Sequence, residues 1–140
     1  MGRIIAIDYG LKRVGLAVTD PLQLIATPLT TVATPDALAF LQQYTKQESV
    51  EAFVIGFPNR FDNRVSLLAA PIQQFINTLH NAFPGQQVFK QDERYTSKLA
   101  IATMLDGGFK QKDRRNKANI DKLSATIILQ SFLTSYKSNE

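Results

Sequence analysis

The chain has 140 residues, 44% apolar and 20% charged, with a net charge of +4 and no cysteine. A folded chain of this length buries about two-thirds of its unfolded surface, so the expectation is one domain over residues 1–140 with a self-supporting core. Lack of cysteine excludes a disulfide framework, a thiolate metal site and a cysteine nucleophile, and fits a reducing cytoplasm; lack of an apolar run near ~18 residues predicts neither signal peptide nor membrane partner.

The amino-terminal run Ile4-Ile5-Ala6-Ile7, closed by Asp8, has the unbroken apolarity of a central strand covered on both faces. Gly10 turns the chain, and Val14-Gly15-Leu16-Ala17-Val18 follows too soon for a crossover helix, so these two strands must be antiparallel. After Asp20-Pro21, a third strand is predicted from Leu24 to Val32, on an edge because of Pro28. Thr34-Pro35-Asp36 then reads as a helix start with Thr34 as N-cap, continued by Leu38, Leu41 and Tyr44.

Phe53-Val54-Ile55-Gly56 is a fourth, buried strand. The series Val65, Leu68, Ala69, Ile72, Phe75, Ile76, Leu79, Ala82 has the steps of an amphipathic helix, which either bends or begins at Pro71. Val88 to Glu93 is the fifth strand, Thr96 to Asp106 a helix stopped by Gly107-Gly108, and Ile120 to about Tyr136 the last helix. Three antiparallel strands followed by alternating helices and strands predict an α/β fold: a mixed five-stranded sheet with helices on both faces and the first strand at its centre.

The charge is unevenly spread. Of 16 bases and 12 acids, five bases (Lys110, Lys112, Arg114, Arg115, Lys117) and one acid (Asp113) fall in a single eight-residue segment, leaving 11 of each elsewhere. Such a segment suits either a polyanion contact or a solvated loop.

Three acids stand where charge is expensive. Asp8 ends the most apolar strand, Glu93 ends the fifth, and Asp121 shares a helix face with Ala125, Ile128 and Phe132, four, seven and eleven residues on. If strands one and five end on one edge beneath the last helix, the three carboxylates converge, and carboxylates without His or Cys select hard cations such as Mg²⁺ or Mn²⁺. Two such ions suit phosphodiester cleavage. Each acid also has an ordinary alternative: Asp8 in a turn, Glu93 paired with Arg94 or Lys98, Asp121 as a first-turn dipole residue.

Four ordered motifs carry a resemblance. Ile7-Asp8-Tyr9-Gly10-Leu11-Lys12-Arg13-Val14-Gly15-Leu16-Ala17, Gly56-Phe57-Pro58, Asp92-Glu93-Arg94-Tyr95-Thr96-Ser97 and Ile120-Asp121-Lys122-Leu123-Ser124-Ala125 closely resemble the YqgF family of Holliday-junction-resolvase-like proteins. The resemblance implies an RNase H-like fold and a divalent-metal nuclease processing the precursor of 16S ribosomal RNA at its 5′ end, with branched-DNA junction resolution as the alternative. It carries the active-site acids onto Asp8, Glu93 and Asp121, and gives Lys12, Arg13 and Arg94 phosphates to contact alongside the basic segment. After the fourth strand the chain departs from the family pattern: Arg60 stands for an Asn and Asn63 for a Gly, while Asp62 is kept.

Two other classes compete. A phosphate loop of the sugar-kinase or actin type would share Asp8-Tyr9-Gly10, but those enzymes clamp nucleotide between two domains and this chain supplies one. A non-catalytic nucleic-acid-binding module would use the basic segment and leave the acids structural. Tyr9 and Tyr95 suit packing better than base stacking, and the sole histidine, His80, lies on a polar helix side. A small chain facing a two-fold junction suggests a homodimer, although no segment marks an interface.

Overall fold

The computed structural model describes residues 2–57, 65–92 and 117–138. β1 (Arg3–Tyr9) and β2 (Arg13–Thr19) form an antiparallel hairpin in which Ala6 faces Ala17 and Asp8 faces Gly15. β3 (Ala26–Ala33) pairs antiparallel with β2, while β4 (Val50–Phe57) and β5 (Gln87–Asp92) extend the other side in parallel. The order β3-β2-β1-β4-β5 puts the most apolar strand at the centre and Pro28 on an edge strand, as predicted. Pro28 sits opposite Ala17, where the β2–β3 register slips; a residue without an N–H is tolerated at such an irregularity.

Alternation along the strands separates two cores. Ile5, Ile7, Leu16, Phe53 and Ile55 pack under α1 (Ala37–Gln47) and α2 (Val65–Ala82), against Leu41, Ile72, Phe75 and Leu79. Ile4, Ala6, Ala17, Ala52 and Val54 point the other way, onto Ala125, Ile128, Leu129 and Phe132 of α3 (Lys117–Ser138). The sheet is thus covered on both faces. Pro71 lies inside α2, six residues after its start, so the helix does not begin there. The burial of Ile72, Phe75, Ile76 and Leu79 offsets the hydrogen bond that Pro71 removes.

β4 is longer than the expected Phe53–Gly56, and three further differences have a local physical cause. β3 starts at Ala26, not Leu24, because the Asp20 carboxylate accepts from the N–H groups of Leu22, Leu24 and Ile25, at 3.2, 2.8 and 2.8 Å, and holds them in a loop. Gln23 takes φ 60° in that loop, and its side-chain amide donates to the Gly2 carbonyl at 2.8 Å and to Glu51 Oε2 at 2.9 Å. α3 already includes Lys117 and Ala118, ahead of the expected start at Ile120; both are good helix formers.

The third difference is Thr34, which caps nothing. Thr34–Asp36 forms a 3-10 turn before α1, and Asp36, not Thr34, precedes the α-helix, without a side-chain cap. The Thr34 hydroxyl instead donates to the Gly10 carbonyl at 2.7 Å, across the sheet end. The expected helix from Thr96 to Asp106 lies outside the described residues. Among those described, no helix is long and apolar enough to cross a membrane.

Candidate active-site edge

β1, β4 and β5 run parallel, so their carboxyl ends share one edge of the sheet. Asp8 stands there, half-buried. It follows Ile4 and Ala6 in phase, which places it on the face covered by α3, whereas Tyr9 turns to the other core and its ring lies 5.1 Å from that of Phe75. Tyr9 is therefore a packing residue, as the sequence favours.

The immediate neighbours of Asp8 in the sheet are both glycine. Gly15 is its partner on β2, and Gly56 is one step beyond the Ile7–Ile55 pair on β4. A glycine inside a strand weakens it, and often marks a place where a ligand or another backbone comes close. Here two of them leave the carboxylate flanked by bare backbone on both sides. The two positions fall inside the runs Val14-Gly15-Leu16 and Ile55-Gly56-Phe57, and a glycine interrupting an apolar strand was the signal by which sequence reasoning could have found them.

α3 crosses this face antiparallel to β1. Leu133 and Thr134, in its last turns, line a groove with Leu24, Ile25 and Ala26 at the opposite edge of the sheet, where Ala26 pairs with Thr19 and the Ile4 N–H donates to Thr19 Oγ1 at 2.9 Å. The first turns of α3 therefore run toward the edge that holds Asp8. Asp121 lies in those turns, one turn ahead of buried Ala125. Asp8 and the backbone of Asp121 thus belong to one face and one end of the fold. Glu93 lies outside the described residues, directly after β5. Among the described residues no group of three acids or imidazoles is assembled around a cation position.

The β1–β2 turn is held from a distance. Besides the bond from the Thr34 hydroxyl to Gly10, the Thr34 N–H donates to the Lys12 carbonyl at 3.1 Å, so one residue pins two carbonyls of the turn. A Cβ on Gly10 would stand 2.7 Å from the Arg13 carbonyl oxygen, which makes glycine necessary there. Lys12 is exposed and Arg13 half-buried at the start of β2. Arg60, Asp62, Arg94, Tyr95, Lys110, Lys112, Arg114 and Arg115 lie outside the described residues, and Lys117 opens α3. His80 is exposed near the end of α2.

A protein of Amoebophilus asiaticus named as a candidate pre-16S rRNA nuclease is 66% identical over 137 residues, covering 98% of this chain and 97% of its own. A Bacteroides fragilis protein of the same name is 53% identical over 133 residues, covering 95% and 96%. The solved structure of T. thermophilus RuvC in complex with a Holliday junction substrate superposes with a TM-score of 0.57 over 97% of this chain and 96% of that one, at 19% identity, and so shows the RNase H-like fold alone. Residues 2–135 match the family model described as RuvX: Holliday junction resolvase, and with relatives this similar the chain belongs to that family.

Proposed function

We propose that this chain is a divalent-metal-dependent nuclease that hydrolyses phosphodiester bonds of structured RNA, the precursor of 16S ribosomal RNA near its 5′ end, in the cytoplasm and as one domain. The observation that carries the reading is Asp8: a half-buried acid at the carboxyl end of the central strand, flanked by Gly15 and Gly56, on the face that α3 covers. The names of the relatives supply the substrate.

Asp8, Glu93 and Asp121 are the catalytic acids in this reading. β5 runs toward the edge that holds Asp8, and Glu93 follows directly after it in the sequence. β1 and β5 are two strand spacings apart, about 10 Å, a gap that long carboxylate side chains on one face and a helix crossing above can close. Three carboxylates without a nitrogen or sulfur donor suit Mg²⁺ or Mn²⁺, which when bound supplies an activated water and charge stabilisation at the leaving oxygen. The protein's part is to hold those acids on rigid elements and to steer the phosphate backbone with Lys12, Arg13, Arg94, Lys110, Lys112, Arg114, Arg115 and Lys117.

Cleavage of a pre-16S RNA fragment and of a four-way DNA junction, each with Mn²⁺ and each compared with Asp8→Asn, tests the proposal. Asn keeps the shape and removes the charge, so the expected result is RNA cleavage by the wild type and none by the variant. Preferred cutting of the junction would move the substrate to branched DNA. Tight binding without any cleavage would make the chain a binding module.

A further inference from the structure

Four large apolar side chains are exposed among the described residues, and they divide between opposite edges of the sheet. Leu22, Leu24 and Ile25 sit together on the β2–β3 loop, at the end away from Asp8; Leu11, 63% exposed, stands by itself on the β1–β2 turn. That turn is the segment that directly follows Asp8, and its backbone is fixed by Thr34 through the Gly10 and Lys12 carbonyls. Leu11 is therefore an apolar group displayed on a rigid tip, three residues from the acid, a distance of chain that spans at most about 10 Å.

The surroundings of Leu11 decide what it suits. Among the described residues Leu11 is the one exposed large apolar side chain at this end, far less than the roughly 800 Å² that a stable protein contact needs from each partner. Lys12 and Arg13 follow it, so the tip as a whole favours a polyanion. A polyanion that also offers a flat apolar face is a nucleic acid with a base out of its stack. Apolar wedges next to cationic residues are a known physical means of engaging an unstacked step.

We propose that the Gly10–Arg13 turn is a base-contacting wedge, with Leu11 packing on an unpaired or unstacked base adjacent to the phosphate presented to Asp8, and Thr34 holding the wedge in place. The inference rests on the nuclease reading for the location of the scissile phosphate, and it narrows the substrate class to nucleic acid that is unpaired beside the cut.

Binding in chelator separates the two readings, because it needs no cleavage. The probe is a short RNA hairpin carrying one bulged 2-aminopurine, against the same hairpin fully paired; the readouts are affinity and the fluorescence of the bulged base. Wild type is expected to prefer the bulged hairpin. Leu11→Ala should lose about fivefold on the bulged hairpin, the scale of one base contact, and less than about twofold on the paired one, with an unchanged melting midpoint because the side chain is exposed. Leu11→Phe, which offers a ring to the base, should restore the preference. Thr34→Val should reduce it and Thr34→Ser should keep it, which a role in stability alone would not produce. Equal loss on both hairpins, no loss on either, no binding by wild type, or loss of self-association in place of base contact would each overturn the proposal. Intact discrimination with no cleavage of any substrate in Mn²⁺ would leave the wedge standing and sink the nuclease reading.

Discussion

Replacing Thr34 by valine removes one hydroxyl and nothing else of consequence: both side chains are β-branched, so the 3-10 turn keeps its backbone preference. The 2.7 Å bond to the Gly10 carbonyl is lost, while the Thr34 N–H still donates to Lys12. A hydrogen bond contributes roughly 0.5–1.5 kcal/mol net. This one is only half-buried, so water can replace part of it and about 0.5–1 kcal/mol is expected. Unfolding entropy near 2.1 cal/mol/K per residue gives about 0.3 kcal/mol per degree for 140 residues, hence a midpoint lowered by about 2–3 °C. Local opening should follow the same energy, with the amides of the β1–β2 turn exchanging about two- to fivefold faster. Thr45→Val is the control, since its hydroxyl donates to the Gln42 carbonyl at 3.0 Å in an exposed bond on α1 and should have no measurable effect. Calorimetry on both variants and hydrogen exchange on the turn suffice. Equal shifts for the two variants, or an unchanged exchange rate at the turn, would show that Thr34 does not hold it.

Like charges brought together without a cation repel, so Asp8→Asn and Asp121→Asn should each melt above wild type in chelator and gain less from added Mn²⁺; stability changes that add to within about 0.5 kcal/mol in the double variant would separate the two acids. The backbone N–H of Ile25, assisted by those of Leu24 and Leu22, holds the Asp20 carboxyl below its ordinary value of 3.8. Its contribution is therefore complete above that value and disappears as pH falls through the lower folded one, so between about pH 6 and pH 2 the melting advantage of wild type over Asp20→Asn should vanish in acid; parallel curves would refute this. Neutralising Lys110, Lys112, Arg114, Arg115 and Lys117 should reduce the salt slope of RNA binding by roughly 0.7 for each phosphate they neutralise in the wild type, equally for all sequences; superimposable slopes would mark the segment as solvated.

The strands were legible because each states its environment in its own residues. Ile4-Ile5-Ala6-Ile7 is apolar on both faces and is the strand covered on both. Pro28 cannot donate to a ladder and lies on the edge. The spacing from Asp121 to Ala125, Ile128 and Phe132 follows the helix period, and these three apolar residues are buried, within a stretch from Ser124 to Leu129 that is buried without a break. Resemblance then added the chemistry that spacing alone could not specify.

Local pattern also determined the antiparallel start, the alternation of helices and strands after it, and the position of Asp8 at a strand end, since each depends on periods of two or 3.6 residues and on turn lengths. Only the tertiary structure decided where hydroxyls and glycines do their work. Thr34 carries every local mark of a helix cap, yet its hydroxyl donates to Gly10, 24 residues earlier, because the sheet brings that carbonyl within hydrogen-bond reach. Gly15 and Gly56 are far apart in the chain and become neighbours of Asp8 through the β1–β2 and β1–β4 registers. A local pattern records which side of an element faces a core; which residues from distant elements then meet is set by strand order and register, and these arise from packing the whole sheet.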